Sequence, residues 1–251
     1  MQNHLIYFYS SPSPRMTLWQ DDELKDIELS GEFNADFSFD KKCVGYQTEH
    51  GWHKCKYNKS GTKQCFGCLY KDISRVYTRL DFTGYEHIKE EISKQNFSIY
   101  LAAFGDSIIK CGVTRTERVD TRTMEQGADY FVELMRFDNA EDAYSTEHSL
   151  QNTFGFKNAV RVDRKMKIAL AGKFDDELLR NSVEQVAASD EFSNLVHSKE
   201  IRKLHYSTPK HFDVATDVGG EVVCSKASLL FYKKDGNYFC VNMKKNEGKE
   251  F

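Results

Sequence analysis

The sequence predicts an α+β protein in which strands at both ends flank a compact αβ stretch. Three observations carry that expectation. Apolar residues alternate with polar ones near the two ends, they recur at helical spacing through the middle, and four cysteines cluster after the first strands. With 251 residues, 40% of them apolar, the chain is long enough for one or two cores, since a domain usually takes about 100–200 residues.

From the N-terminal side, Ile27, Leu29, Phe33, Ala35, Phe37 and Phe39 all occupy odd positions between mostly polar neighbours, the period of half-buried strands, and Gly31 marks a turn or bulge. Tyr85–Lys94 reads as a short helix. Phe97–Phe104 and Ser107–Val113 read as strands joined by Gly105-Asp106, a dipeptide suited to a tight hairpin. The apolar steps of Ala128–Arg136, Ala140–Phe154 and Asp175–Val186 predict helices, the last through Leu178, Leu179, Val183 and Val186. Beyond His205 the strand pattern returns at Glu221–Cys224, Ser228–Tyr232 and Tyr238–Met243, the last two joined through Asp235-Gly236.

The expected division is 1–83 for the N-terminal strands and a metal module, 84–196 for the αβ domain and 197–251 for the C-terminal strands. Neither strand group seen alone buries two faces, so the N- and C-terminal strands are expected to pack as one β unit.

Net charge is −3, which excludes a uniformly basic binder, but the charge is unevenly placed. Residues 1–39 carry seven acids against Arg15 and Lys25. From Asp40 to Arg79 nine basic residues, among them Lys54, Lys56, Lys59 and Lys63, oppose three acids and alternate with Trp52, Tyr57, Phe66 and Tyr70. Basic charge interleaved with aromatics suits a phosphate backbone and stacked bases, so DNA or RNA is the expected partner; a solvated face that balances the acidic segment explains the same charge equally well. No apolar run reaches the roughly 18–20 residues of a membrane span and Met1–Tyr9 lacks a signal pattern, so a cytoplasmic protein is expected.

Seven cysteines, an odd number with four clustered, do not suit a disulfide framework. The cluster reads Cys43-x11-Cys55-x9-Cys65-x2-Cys68. The Cys-x2-Cys pair puts two thiolates on one turn, and two further cysteines close a tetrahedron with no position left for water, which is a structural zinc site. His50 and His53 lie in the same loop, and either could displace Cys43 or Cys55. Cys111, Cys224 and Cys240 sit in apolar strand patterns and read as small core residues.

Between Phe97 and Phe154 a strand carries Ser98-Ile99-Tyr100, the next ends in Lys110-Cys111-Gly112, arginines follow at Arg115, Arg118 and Arg122, and Glu147 lies on a later helix. This stretch resembles the GIY-YIG nuclease domain. The resemblance implies that Tyr100 is the first-motif tyrosine, Gly112 the second-motif glycine, Arg122 or Arg118 the helix arginine and Glu147 the ligand of a catalytic Mg²⁺ or Mn²⁺. It implies a phosphodiester nuclease, with Arg115 and Arg118 toward the nucleic acid. The sequence departs from the pattern at Ser98, where the family has glycine, and at Lys110, where it has tyrosine. A lysine there can act on a phosphate electrostatically. Without the resemblance, Tyr100 reads as a strand aromatic, Arg122 as a surface partner of Glu125 or Asp120, and Glu147 as a solvated acid.

The cysteine cluster, the run Tyr100-Leu101-Ala102 to Thr114-Arg115, Glu125-Gln126-Gly127-Ala128 and Gly220-Glu221-Val222-Val223 are together similar to an uncharacterised prokaryotic family. Three functions stay open at this level: a metal-dependent nuclease, a nucleic-acid-binding protein without catalysis, and a scaffold that holds a protein partner through the zinc module.

Overall fold

The computed structural model describes residues 2–251, apart from the Arg79 side chain. The chain forms two compact units, one of the described residues up to Lys89 with Phe212–Phe251, the other Glu90–His211. The divisions therefore fall at 89/90 and 211/212, against 83/84 and 196/197 expected from pattern.

The first unit opens with an antiparallel meander, β1 (Asn3–Tyr9), β2 (Arg15–Gln20) and β3 (Glu23–Glu28). Next come β4 (Gly31–Ala35), the hairpin β5 (Tyr46–Thr48) and β6 (Gly51–His53), and the short helices α1 (Phe66–Lys71) and α2 (Ser74–Arg79). The second unit follows α3 (Lys89–Ser93) with β7 (Phe97–Phe104), β8 (Ile108–Arg115), α4 (Val119–Gln126), β9 (Tyr130–Phe137), α5 (Ala140–Phe154), α6 (Val162–Ala171), α7 (Glu177–Ala187) and β10 (Arg202–Lys203). The chain then returns to the first unit as β11 (Asp213–Ala215), β12 (Val218–Lys226), β13 (Leu229–Lys234), β14 (Asn237–Asn242) and α8 (Met243–Asn246).

In the first unit β4 pairs antiparallel with β12, which completes a five-stranded sheet in the order β11-β14-β13-β12-β4. The meander joins it through a shared core. Leu5, Phe8, Met16 and Leu18 pack with Val218, Leu230, Val241 and Met243, so residues more than 200 apart in the chain exclude water together. The alternating segment Ile27–Phe39 proves to be two strands in two sheets, and its last member Phe39 is fully exposed because β4 ends at Ala35. The β1–β2 hairpin carries no polar alternation, since most of both strands is buried, and sequence periodicity passed over it.

In the second unit β7 lies between β8 and β9, with β10 beyond β9. All eight residues of β7 are buried, because helices cover both faces. Leu150 of α5 and Leu179, Val183 and Val186 of α7 pack on Ile99 and Leu101, whereas Val119 of α4 and Ile168 of α6 pack on Ala102 and Phe104. One expectation is corrected here: Ala128–Arg136 is not a helix but supplies the strand β9. A strand buried on both faces loses its polar alternation, and Tyr130, Phe131 and Val132 favour the pleat over the helix. Among the described residues no helix is long and apolar enough to cross a membrane.

Candidate functional site

In the first unit the four cysteines converge. The Sγ atoms of Cys43, Cys55, Cys65 and Cys68 all lie within 4.8 Å of one another and are buried, and Cys55 and Cys65 are 3.9 Å apart. Zinc–sulfur bonds of about 2.3 Å imply tetrahedron edges of about 3.8 Å, so this set could hold such a metal ion. Local chemistry fixes each ligand. Gly45 takes a left-handed φ of 97°, and a Cβ there would sit 1.9 Å from the His53 carbonyl oxygen, so only glycine lets the two loop segments close. The Cys65 amide donates to Cys43 Sγ at 3.2 Å, and the buried Asp72 carboxylate accepts from the Gln64 side chain and the Gln47 and Ser74 amides. His53 stacks on Tyr46 and bonds Thr48, and His50 lies beside Glu49, so neither histidine replaces a cysteine.

Burial pushes the Cys43 and Cys68 thiols up. Burial acts the same way on Cys55, but the Lys59 and Tyr57 amides outweigh it and bring that thiol to about 7. Among the described residues the half-buried Tyr46 is the hydrophobic side chain packed against this small cluster, so a metal ion held by the thiols would add cross-links where little apolar packing is present. Of the basic residues beside it, Lys54 is paired with Asp22 and Lys63 with the buried Glu247. Lys56 and Lys59 are exposed without an acidic partner among the described residues, and Phe66 and Tyr57 are 83% and 78% exposed.

In the second unit the hairpin register sets Tyr100 directly opposite Gly112. A Cβ at Gly112 would lie 2.5 Å from Tyr100 Oη and 2.7 Å from Lys110 Nζ, so the missing side chain makes room for both. Lys110 Nζ stands 3.4 Å from Tyr100 Oη, and Gln126 Nε2 donates to the same oxygen at 2.7 Å. Gln126 belongs to the buried stripe of α4, one turn beyond Thr123 and one turn after Arg122. On α5, Glu147 shares the stripe of the buried Ala143 and Leu150, which turns it toward β8.

Electrostatic influence links these groups. Burial pushes the Tyr100 phenol up to about 12, with Arg122 and Gln126 opposing and Glu147 adding to the rise. Burial brings Lys110 down to about 8, opposed by Glu147 and assisted by Arg122. Glu147 is raised by burial against the pull of Lys110, His148, Gln151 and the Val113 amide. Tyr100, Lys110, Arg122 and Glu147 therefore feel one another's charge. Arg122 also pairs with Glu125 at 3.3 Å, as does Arg118 at 3.2 Å, and Arg115 pairs with Glu117. Sequence reasoning did not single out Gln126 as a site residue, nor Tyr144, whose phenol is raised by burial and by Glu147. Their signal is spacing: Gln126 lies four residues after Arg122 and Tyr144 three before Glu147, each on the same helix face.

Fold and sites together define an α+β protein with a four-cysteine cluster that could hold a metal and, separately, a buried Tyr100 in the company of the half-buried Lys110, Arg122 and Glu147. Residues 34–251 match the family described as "Protein of unknown function (DUF2797)", and the chain belongs to that family. No curated protein and no solved structure matches the chain.

Two outcomes follow. Purified without chelator, the protein should carry about one metal ion per chain by elemental analysis, and stripping it should expose the amides around Cys43–Cys68 to hydrogen exchange; a metal-free, equally protected preparation would contradict the site. Lys110 is held below its ordinary 10.5, so between about 8 and 10.5 the unfolded chain binds more protons than the folded one. The stability of the second unit should then gain from rising pH over that window more than in Lys110→Met, as read by denaturant unfolding at pH 7 and 9; equal slopes would refute the burial of a charged Lys110.

Proposed function

We propose that this protein binds nucleic acid and hydrolyses its phosphodiester bonds at the Tyr100 cluster, with a structural zinc ion holding the cysteine module together. The observation that carries the reading is the mutual electrostatic influence of Tyr100, Lys110, Arg122 and Glu147, brought together from a hairpin and two helices. Hairpin, arginine helix and glutamate helix follow one another in the order that the GIY-YIG resemblance implies. Where the two candidate arginines were left open, Arg122 is the one whose charge bears on Tyr100, and Arg118 serves through their shared partner Glu125.

A single carboxylate such as Glu147 fits Mg²⁺ or Mn²⁺, because the small hard ion keeps several waters and takes its remaining ligands from phosphate oxygens. When bound, the ion stabilises negative charge on the leaving oxygen. The chain's own groups do the rest. Tyr100 Oη already accepts from Gln126 and stands within reach of Lys110, so its proton is directed to the Lys110 amine as the phenol takes one from the attacking water. Lys110, at about 8, is partly neutral in the working range and can accept that proton. Arg122 offsets the charge that develops on the phosphoryl oxygens. Lys110 thus takes the place of the second-motif tyrosine, and Tyr144 is the second phenol that Glu147 influences.

A binding role without hydrolysis is favoured by one observation of its own. Phe66 and Tyr57 are exposed on the cysteine module and the Lys56 ammonium lies over the Tyr57 ring, groups that suit base stacking and phosphate contact without any chemistry.

The test is incubation of the full chain with labelled single- and double-stranded DNA and RNA, with and without Mn²⁺. Cleavage should rise as pH passes about 8, where Lys110 loses its proton. Glu147→Gln should lower the rate by about 100-fold or more with little change in binding, because its contribution arises in the transition state. Binding without cleavage under every condition would leave the non-catalytic role, and no binding at all would end both.

A further inference from the structure

The second unit also holds a cavity of about 530 Å³ that the proposed chemistry does not use. Its size lies within the range of about 300–1,000 Å³ typical of small-ligand sites. Three cations line it, Lys157, Arg161 and Arg164, and among the described residues no acid lines it. All three side chains are exposed, and none has an acidic partner among the described residues. Much of the remaining lining is apolar. Phe154 and Phe156 stack with ring centroids 5.5 Å apart, both half-buried, and Ile108 and Leu178 line the cavity with them. Unpaired positive charge in one cavity with aromatic rings matches a ligand with a phosphate at one end and a planar ring at the other.

The backbone fixes where this cavity lies. Lys157 extends the edge of β8, its amide donating to the Ile109 carbonyl at 3.0 Å and its carbonyl accepting from Cys111 at 3.1 Å. Lys157 thereby stands in register with Lys110. The cavity begins along the same strand edge that presents Lys110, within one unit of the chain.

We propose that the cavity takes one unpaired nucleotide of a nucleic-acid strand, its base against Phe154 and Phe156 and its phosphate on Lys157, Arg161 and Arg164. This rests on the nucleic-acid reading above and narrows it to substrates with a single-stranded or extruded nucleotide beside the scissile phosphate. A rigid duplex cannot place a stacked base there without unpairing it.

The experiment is calorimetric titration of the full chain with the four nucleoside 5′-monophosphates, inorganic phosphate, a polyglutamate peptide and a single-stranded hexanucleotide. It is run on the wild type, Arg161→Ala/Arg164→Ala and Glu147→Gln, with circular dichroism as the folding control. Monophosphates should bind about tenfold or more tighter than phosphate, and the double arginine variant should weaken monophosphate and hexanucleotide about tenfold or more. Glu147→Gln should bind like the wild type. Equal affinity for phosphate, tighter binding of polyglutamate, no heat with nucleotides, or a folded double variant that binds normally would each overturn the proposal. Nucleotide binding without cleavage of any strand would remove the nuclease reading and leave the cavity assignment standing. Cleavage without nucleotide binding would do the reverse.

Discussion

The chemistry proposed for the second unit depends on one close approach, that of Tyr100 to the bare backbone of Gly112. Any side chain at Gly112 would push the phenol and the Lys110 ammonium apart. With none there, the phenol, the amine and the Gln126 amide meet beneath α4, on a central strand that is buried along its whole length. Burial then moves the two groups in opposite directions from a common cause. The phenol resists ionising and the ammonium gives up its proton more readily, because each is driven toward its neutral form. Two groups with ordinary values of about 10 and 10.5 are separated to about 12 and about 8, so that between those values the phenol keeps its proton while the amine is neutral.

The first unit is held by two different devices. Its sheets share a conventional apolar core that joins the N-terminal meander to the C-terminal strands. The segment between β4 and α2 has a small core: two three-residue strands and two helices of six residues surround four thiols, with Val44 and Trp52 packed beside Ile6 and Trp19. Elements this short do not persist on their own. A metal ion held by the four thiols would cross-link these short elements.

The cysteine cluster was fully legible in the sequence, because the geometry of a closed tetrahedral site is written in spacing and residue type. The Phe97–Gly112 hairpin was legible for a similar reason, its turn being local. What escaped was decided by distant neighbours. Tyr130–Phe137 carries apolar residues at helical steps, yet β7 pairs with it, and burial on both faces erases the alternation that would have marked a strand. The β1–β2 hairpin was passed over for the same cause. For Lys54 and Lys63 the sequence left open a phosphate contact or a balance with the acidic segment, and they are paired with Asp22 and Glu247, acids 32 and 184 residues away. Gln126 gave no chemical signal of its own; its meaning comes from the helix face it shares with Arg122.

The central claim is that Lys110, Arg122 and Glu147 act on one another across Tyr100, and the most direct measurement is the titration of the Lys110 amine by NMR with isotope-labelled lysine. In the wild type the midpoint should lie near 8. Glu147→Gln should lower it further, because a favourable negative charge is lost, and Arg122→Leu should raise it, because a repelling positive charge is lost. A Lys110 midpoint at the ordinary lysine value, unmoved by either substitution, would contradict the account.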